Sequence, residues 1–567
     1  MTTWQAGLAR RDITAYEPGM ALLGWGQLRH RAQGVGARLF ARALLVRDTK
    51  ETVAIVTLDL CFVPQLLRAA ILDALAARPV DGLTPGGLLL LATHTHAGPS
   101  GITDSVLYGA MSFGVAPGVL RHITEAVIEA LHTADRCTFP ASLRLGTATL
   151  PPGPARARQR SPHAWRANPE AHGRHPDDSL EPTVTALRID DDQGRERGML
   201  GVIASHATLI HPDLPLLHPD HPGVTAARLE ERHHHDLDYV ALIAQAGAGD
   251  ATPNTTWNPT RRLFAGPTGD ALIDAALVGE ALADTLTRAS EAAAHTAPLT
   301  GPVRARTRHV DLSRTWLPPV TASGPPRQTQ DPCLGMAFPI GTDEGPGPFG
   351  AVAPALLALH RLRARLWRAR GRTGDIKLVF GPLERGLHGR LFGLLSAATA
   401  ARAPHGDPVL TALGALDRAG LPVDRPWVPC VLPATTVQLG GLILGAVAGE
   451  PTTVAAARLR TALAHAAGTP HALLLGYAGA YTGYITTREE YEVQAYEGGH
   501  TLFGPWTLAA WEQTLIETVG QPWSQAIPGP PPVVMPMDVL VKEREVMRAS
   551  LTKRYRWLVG GTDVQVR

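Results

Sequence analysis

Residues 87–101, GLLLLATHTHAGPSG, carry an apolar run straight into two histidines spaced by one residue, His94 and His96. Neutral imidazole is the commonest biological metal ligand, and zinc is a frequent partner. Along an extended strand, residues i and i+2 project from one face. The spacing therefore predicts that both rings leave the strand end together, where a loop begins and chemistry is commonly carried. It leaves open whether one or both meet a metal. Three further groups stand where apolar sequence gives way to loop. His206 closes GMLGVIASHATLIHP, Glu450 closes LILGAVAGE, and Tyr481 and Tyr484 lie in YAGAYTGYITT. A catalytic zinc takes His and carboxylate ligands and keeps a position for water, a requirement that His94, His206 and Glu450 would meet. Each also has an ordinary alternative: a hydrogen-bonded histidine after a strand, packed tyrosines, or, for Glu450, a charge at the N-terminus of the next helix.

The elements that must position these groups alternate along the chain. TVAIVTLDLCFV and GLLLLATHTH read as buried strands, with LLRAAILDALAARP between them as a helix. TVTALRIDDDQGRERGMLGVIASHATLI reads as a hairpin turning at its polar centre, and YVALIAQAGAGD as another buried strand. VTAARLEERHHHD, GDALIDAALVGEALADTLTRASEAA and TLAAWEQTLIETV have helical apolar spacing. VLPATTVQLGGLILGAVAGE reads as a strand pair, followed by the helix PTTVAAARLRTALAHA and the strand HALLLGYAG. Hairpins mixed with βα units predict an α/β fold: mixed β-sheets flanked by helices in a single large catalytic domain over 1–525. IPGPPPVV then opens a Pro-rich linker and short charged tail, 526–567.

Composition narrows the function classes. The chain has 567 residues, 45% of them hydrophobic, enough for a large core. Lys plus Arg is 53 against 51 Asp plus Glu, so no basic footprint for nucleic acid is present. Four cysteines without CxxC spacing argue against zinc–thiolate sites and a disulfide framework; Cys61 reads as a small buried hydrophobe. No apolar run approaches a membrane span. The N-terminal MTTWQAGLARRDIT has no apolar leader, which gives the expectation of a cytoplasmic protein.

Taken together, the motifs resemble the neutral/alkaline ceramidase family of zinc-dependent amidases. AGLARRDIT, ARLFARALLV, THTHAGPSG, RQRSPHAWRANP, SHATLIHP, AGAGDATPN, LGMAFPIGTDEGPG, GEPTTVAAARLR and YTGYITTREEYEVQAYEGGHTLFGPWT run in family order over about residues 5–515. The resemblance implies a zinc ion held by His94, His206, Glu450 and Tyr484, the last being the second tyrosine of YTGY. It implies catalytic roles for His96, which faces the substrate, and for Arg160 and Tyr496, which line the scissile amide. The implied reaction is hydrolysis of the N-acyl bond of a ceramide-like lipid to a fatty acid and a sphingoid base. Peripheral membrane contact is compatible with such a substrate. The alternatives are an amidase for another N-acylated amine or amino acid, and a catalytically silent lipid-binding relative.

Departures from the family pattern are specific. Gln159 stands where Asn is usual, and Thr252 stands where Ser is usual, keeping a hydroxyl as a substrate-binding candidate. A C-terminal β-sandwich and a secretion signal, common in the family, are not expected from this sequence. Two histidine-rich stretches read as decoys. His233–His235 is expected at a helix C-terminus, where positive charge is favourable. The cluster His211, Asp213, His218, Asp220 and His221 reads mostly as loop, with Asp220 a candidate for orienting a zinc-bound histidine. The basic stretch 356–370 is expected to be a solvated helix face.

Overall fold

The computed structural model describes residues 4–233, 238–319, 327–347, 408–422, 425–523 and 528–551, with isolated positions between 355 and 396 and Tyr555. His234 and His235 fall outside the described residues, as do seven positions of the basic stretch 356–370; its described residues are exposed and, up to Ala369, helical, as expected of a solvated helix face.

Eight strands build the larger sheet: β1 (Trp4–Asp12), β2 (Phe40–Arg47), β3 (Thr52–Leu58), β4 (Leu83–Ala92), β5 (Phe139–Thr149), β6 (Thr183–Asp191), β7 (Glu196–Ile203) and β8 (Val240–Gln245). Their spatial order is β8-β7-β6-β5-β1-β2-β3-β4. Four strands build a second sheet in the order β9 (Val303–Asp311), β10 (Val431–Leu439), β11 (Leu442–Ala446) and β12 (Ala472–Leu475). Most pairs are antiparallel; β3–β4, β7–β8 and β11–β12 are parallel. Parallel neighbours require a crossover. Helices supply it: α1 (Gln65–Ala77) after β3, α3 (Asp220–Arg232) after β7 and α5 (Thr453–Ala467) after β11, with α2 (Pro117–Arg136), α4 (Ala271–Ala294) and α6 (Thr507–Gly520) filling the outer faces.

Side-chain alternation sorts the core into layers. In β2, Ala41, Ala43 and Leu45 pack toward α1 and α2, whereas Leu44 and Val46 point the other way. There they meet Leu89 and Leu91 of β4 and, from the second sheet, Val437, Leu439, Leu442 and Leu444. On the far face of the second sheet, Leu432 and Ala434 pack with Leu459 of α5 and Trp511 of α6. The result is helix–sheet–sheet–helix. Because both faces of the central strands are covered, their sequences read as continuous apolar runs.

The mixed-sheet α/β expectation matches this architecture. Strands β1, β2 and β5 lacked a clear sequence signal, and β2 shows why: Arg42 sits inside it at 2% exposure. It is held 3.0 Å from Asp59 and 2.9 Å from Glu230. A buried charge with its partners far away in sequence interrupts the apolar pattern without breaking the strand. The charged segment beyond the prolines forms α7 (Met537–Leu551), whose Met547 and Leu551 pack on Phe113 and on Leu413 and Leu416 of the helix Pro408–Arg418.

The inter-sheet core gives a stability test. Leu444 is fully buried between the sheets. Leu444→Ala is expected to lower unfolding free energy by about 2–5 kcal/mol in urea titration, through lost burial plus a cavity; a loss under about 1 kcal/mol would contradict tight packing there.

Candidate metal centre

The site is assembled from chain just beyond the C-terminal ends of strands, the usual place for ligand groups in α/β sheets. His94 and His96 follow β4, His206 follows β7, Thr252 follows β8, Glu450 follows β11, and Tyr484 follows β12. The H-x-H expectation needs correction in its cause. Strand β4 ends at Ala92, and His94 has φ 74°, so the two histidines are not on a common strand face. A left-handed backbone at a non-glycine residue costs roughly 1–2 kcal/mol. The turn is held by His94 N donating to the Leu60 carbonyl (2.9 Å) and Thr93 N donating to that of Leu58 (2.9 Å). It brings the His96 and His94 Nε2 atoms within 3.1 Å.

His94 Nδ1 lies 2.6 Å from the Cys61 carbonyl oxygen, and His206 Nδ1 lies 3.1 Å from that of Ala248. Each Nδ1 therefore carries the proton and donates it, leaving Nε2 with a free electron pair. Those two Nε2 atoms face each other at 3.1 Å. Glu450 Oε2 is 3.4 Å from His94 Nε2 and, though buried, has no hydrogen-bond partner. Two atoms bound about 2.1 Å from one tetrahedral ion stand about 3.4 Å apart. Glu450 Oε2 approaches His206 less closely, 3.8 Å from its Nδ1, but ligand atoms of all three residues lie within 4.8 Å of one another, a grouping that could hold a metal ion.

Glu450 is not the cap of α5: Thr452 fills that position, accepting from Ala455 N. Instead Glu450–Pro451 pairs in parallel with Tyr484–Ile485, with Glu450 directly beside Tyr484. Gly449 allows the approach, since a Cβ there would stand 2.7 Å from the Gly483 carbonyl oxygen. Tyr481 donates to Glu450 Oε1. Arg160 reaches Tyr484 OH at 3.0 Å and Glu497 at 2.9 Å, and also donates to the Gly249 carbonyl. Its guanidinium lies 5.3 Å from the Tyr496 ring centre.

With this geometry established, the sequence profile of the neutral/alkaline non-lysosomal ceramidases, N-terminal region, matches residues 4–356 and 395–513. The chain belongs to this family. It is 28% identical over 524 residues to the neutral ceramidase of Pseudomonas aeruginosa, covering 91% of this chain and 71% of that one. It is 30% identical over 525 residues to the neutral ceramidase of Mycobacterium tuberculosis, covering 89% and 75%. The crystal structure of neutral ceramidase from Pseudomonas aeruginosa superposes with a TM-score of 0.73 at 25% identity, over 94% of this chain and 77% of that one.

Relative to this family's pattern, the structure brings His94, His96, His206, Glu450, Tyr484, Arg160 and Tyr496 into one neighbourhood. His94, His206, Glu450 and Tyr484 are buried, whereas His96 and Tyr496 keep partial exposure. Thr252 is fully buried, and its hydroxyl donates to Glu344. Asp220 does not orient a site histidine. Its carboxylate accepts from His221 and from Ile210 N (3.0 Å), while backbone carbonyls hold the His94 and His206 rings. His233 stacks on Tyr239 and lies 2.8 Å from the Leu229 carbonyl oxygen at the end of α3, a structural role. Sequence reading missed Glu344, which lies 3.7 Å from Arg160, and Glu497. Glu344 comes from a Gly/Pro-rich loop without periodicity; Glu497 had only its adjacency to Tyr496 as a signal.

Electrostatics favour the unprotonated form of His206 and of His96. Burial, reinforced by His94 and Arg160, holds His206 and His96 well below the ordinary histidine value. Burial raises the Glu450 carboxyl, but His94 and the Tyr481 hydroxyl outweigh it and leave Glu450 lowered. Burial raises the Tyr484 phenol, with Arg160 opposing. A second grouping, Cys61, His94 and His96, also lies close together. However, Cys61 Sγ faces the His94 Nδ1 side at 3.9 Å, and burial beside Glu450 keeps the thiol protonated. Metal analysis of purified variants separates the two groupings. Glu450→Gln and His206→Ala are expected to lose bound metal, and Cys61→Ser to keep it; the reverse result would place the ion on the thiol side.

Proposed function

We propose that the protein is a zinc-dependent amidase that hydrolyses the N-acyl bond of ceramide-like lipids, releasing a fatty acid and a sphingoid base. The observation that carries this reading is the pair of free imidazole Nε2 atoms and the unpartnered Glu450 oxygen, converging within a ceramidase-family chain. In this reading His94, His206, Glu450 and Tyr484 hold the zinc. The donor set of two imidazoles and two oxygens suits zinc better than softer metals that seek thiolates. When bound, zinc supplies Lewis acidity that lowers the pKa of water toward neutrality and polarises a carbonyl oxygen.

The chain's own residues do the rest. His96, kept unprotonated and partly exposed beside His94, accepts the proton of the attacking water and returns it to the departing amine. Tyr496 presents its hydroxyl to the developing oxyanion, and the Arg160 charge beneath its ring adds to that field. Arg160 also favours the ionised form of Tyr484 through its 3.0 Å contact. Thr252 acts through Glu344, fixing the carboxylate that faces Arg160. The two parallel partners Glu450 and Tyr484 are held in register by backbone hydrogen bonds, so their oxygens need little reorganisation.

The test is release of fatty acid from N-acylsphingosines of graded chain length by the zinc-loaded protein. His96→Ala is expected to keep zinc while turnover falls about 10²–10⁴-fold. Tyr496→Phe is expected to keep zinc and lose turnover with little change in KM, because a transition-state contact is removed. Absence of cleavage by zinc-loaded wild type across the series would reject the substrate class, and loss of zinc from His96→Ala would make His96 a ligand.

A further inference from the structure

The rings of His94 and His206 are fixed by backbone carbonyls at Nδ1. His96 has no such tie. Its Nδ1 is buried and meets no hydrogen-bonding group among the described residues. The torsion that turns a histidine ring about its Cβ–Cγ bond is broad. The direction of the His96 ring must therefore come from what is packed around it.

That packing comes from LLGWG, residues 22–26, a stretch to which the metal centre gave no role. Leu22–Gly24 pairs antiparallel with Ala97–Pro99, and Gly24 stands opposite Ala97, the residue after His96. Gly24 has φ 129°, and a Cβ there would lie 2.5 Å from His96 Cγ, so only bare backbone fits against the base of the ring. Trp25 follows and meets the His96 ring edge to face, with centres 5.3 Å apart at 85°, a geometry that aromatic pairs favour. The indole is itself held twice. Its Nε1 donates to the Ile210 carbonyl at 3.0 Å. Its ring stacks on His211, with centres 5.2 Å apart at 24°. His211 is buried, and its Nε2 lies 3.3 Å from Asn254 Oδ1. Asn254 is fully buried and donates to the Thr208 carbonyl at 3.1 Å. A line of braced groups thus runs from the interior through Asn254, His211 and Trp25 to His96, where both Trp25 and His96 keep partial exposure.

We propose that Trp25 is a positioning residue: braced by His211 and the Ile210 carbonyl, it holds the His96 ring with Nε2 toward the metal centre, 3.1 Å from His94 Nε2. The proposal rests on the reading of His96 as the proton-transfer group. Such a group works only within hydrogen-bond reach of the proton it moves, and a misplacement of about 1 Å can cost about 10²-fold in rate. With Trp25 removed, no hydrogen bond at Nδ1 keeps the ring from turning into the space left behind.

A double-mutant cycle on the zinc-loaded full chain tests it, with kcat and KM measured on an N-acylsphingosine. Trp25→Ala is expected to keep zinc and to lower kcat about 10–10²-fold with little change in KM. In the His96→Ala background the same substitution should cost less than about twofold more, because it has no ring left to misplace. A rise in KM with kcat unchanged, a loss of zinc, or an equal loss of kcat in both backgrounds would overturn the proposal. Should Trp25→Ala not fold by circular dichroism, His211→Ala, which removes the support behind the indole, is read by the same cycle. Crystal structures of the zinc-loaded wild type and variant read the ring without substrate. His96 is expected to leave its wild-type orientation in the variant, and an unmoved ring overturns the proposal. Absence of cleavage by the wild type would reject the amidase reading, and the response of the ring would still decide this one.

Discussion

Two imidazole electron pairs held 3.1 Å apart, with a buried carboxylate oxygen 3.4 Å from one of them, repel one another in a low-dielectric interior. The repulsion is built in by the backbone. The carbonyls of Cys61 and Ala248 take the Nδ1 protons, and so turn both free nitrogens inward. Neither ring can relax by rotating without abandoning a buried carbonyl, a change that costs about 1–3 kcal/mol. A cation at the point of convergence removes the conflict. The left-handed turn at His94, the glycine at 449 and the parallel Glu450–Tyr484 pair all serve to bring those atoms together.

The two-sheet architecture explains how groups so distant in sequence meet. Parallel pairs β3–β4, β7–β8 and β11–β12 each release the chain at a strand's C-terminal end, and the helices that follow return it across the outer faces. The apolar interface between the sheets, from Leu44 and Leu91 to Leu442 and Leu444, holds the end of β4 against the ends of β11 and β12. His94 and His206 come from the larger sheet, and Glu450 and Tyr484 from the smaller one. The centre therefore spans both sheets, and its geometry depends on how they pack as much as on any single loop.

Much of this was legible in the sequence. His94, His206 and Glu450 each end an apolar run, which marks a strand mouth, and the structure brings them together; Tyr484 was expected from the family resemblance alone. In the structure Tyr481 donates to Glu450, and the Tyr484 hydroxyl meets Arg160. What could not be read depends on contacts between remote segments. Backbone carbonyls orient the imidazoles, and no side-chain pattern announces a carbonyl; this is why Asp220 looked eligible. Glu344 and Glu497 reach Arg160 from segments more than 150 residues away in sequence. The strand containing Arg42 was hidden because its charge is matched by Asp59 and Glu230, one of them on α3. H-x-H indicated the right residues for an incomplete reason, since a left-handed turn and not strand alternation brings the rings together.

The composition of the metal shell is the most direct point at which the structure and the chemistry meet. X-ray absorption at the zinc edge on the purified protein reads it without relying on activity. On the proposed assignment the expected spectrum has two imidazole nitrogens, from His94 and His206, and otherwise only oxygens, from Glu450, Tyr484 and water, at about 2.0–2.2 Å. A sulfur at about 2.3 Å would move the ion to Cys61, and a third imidazole would make His96 a ligand; either would contradict the assignment.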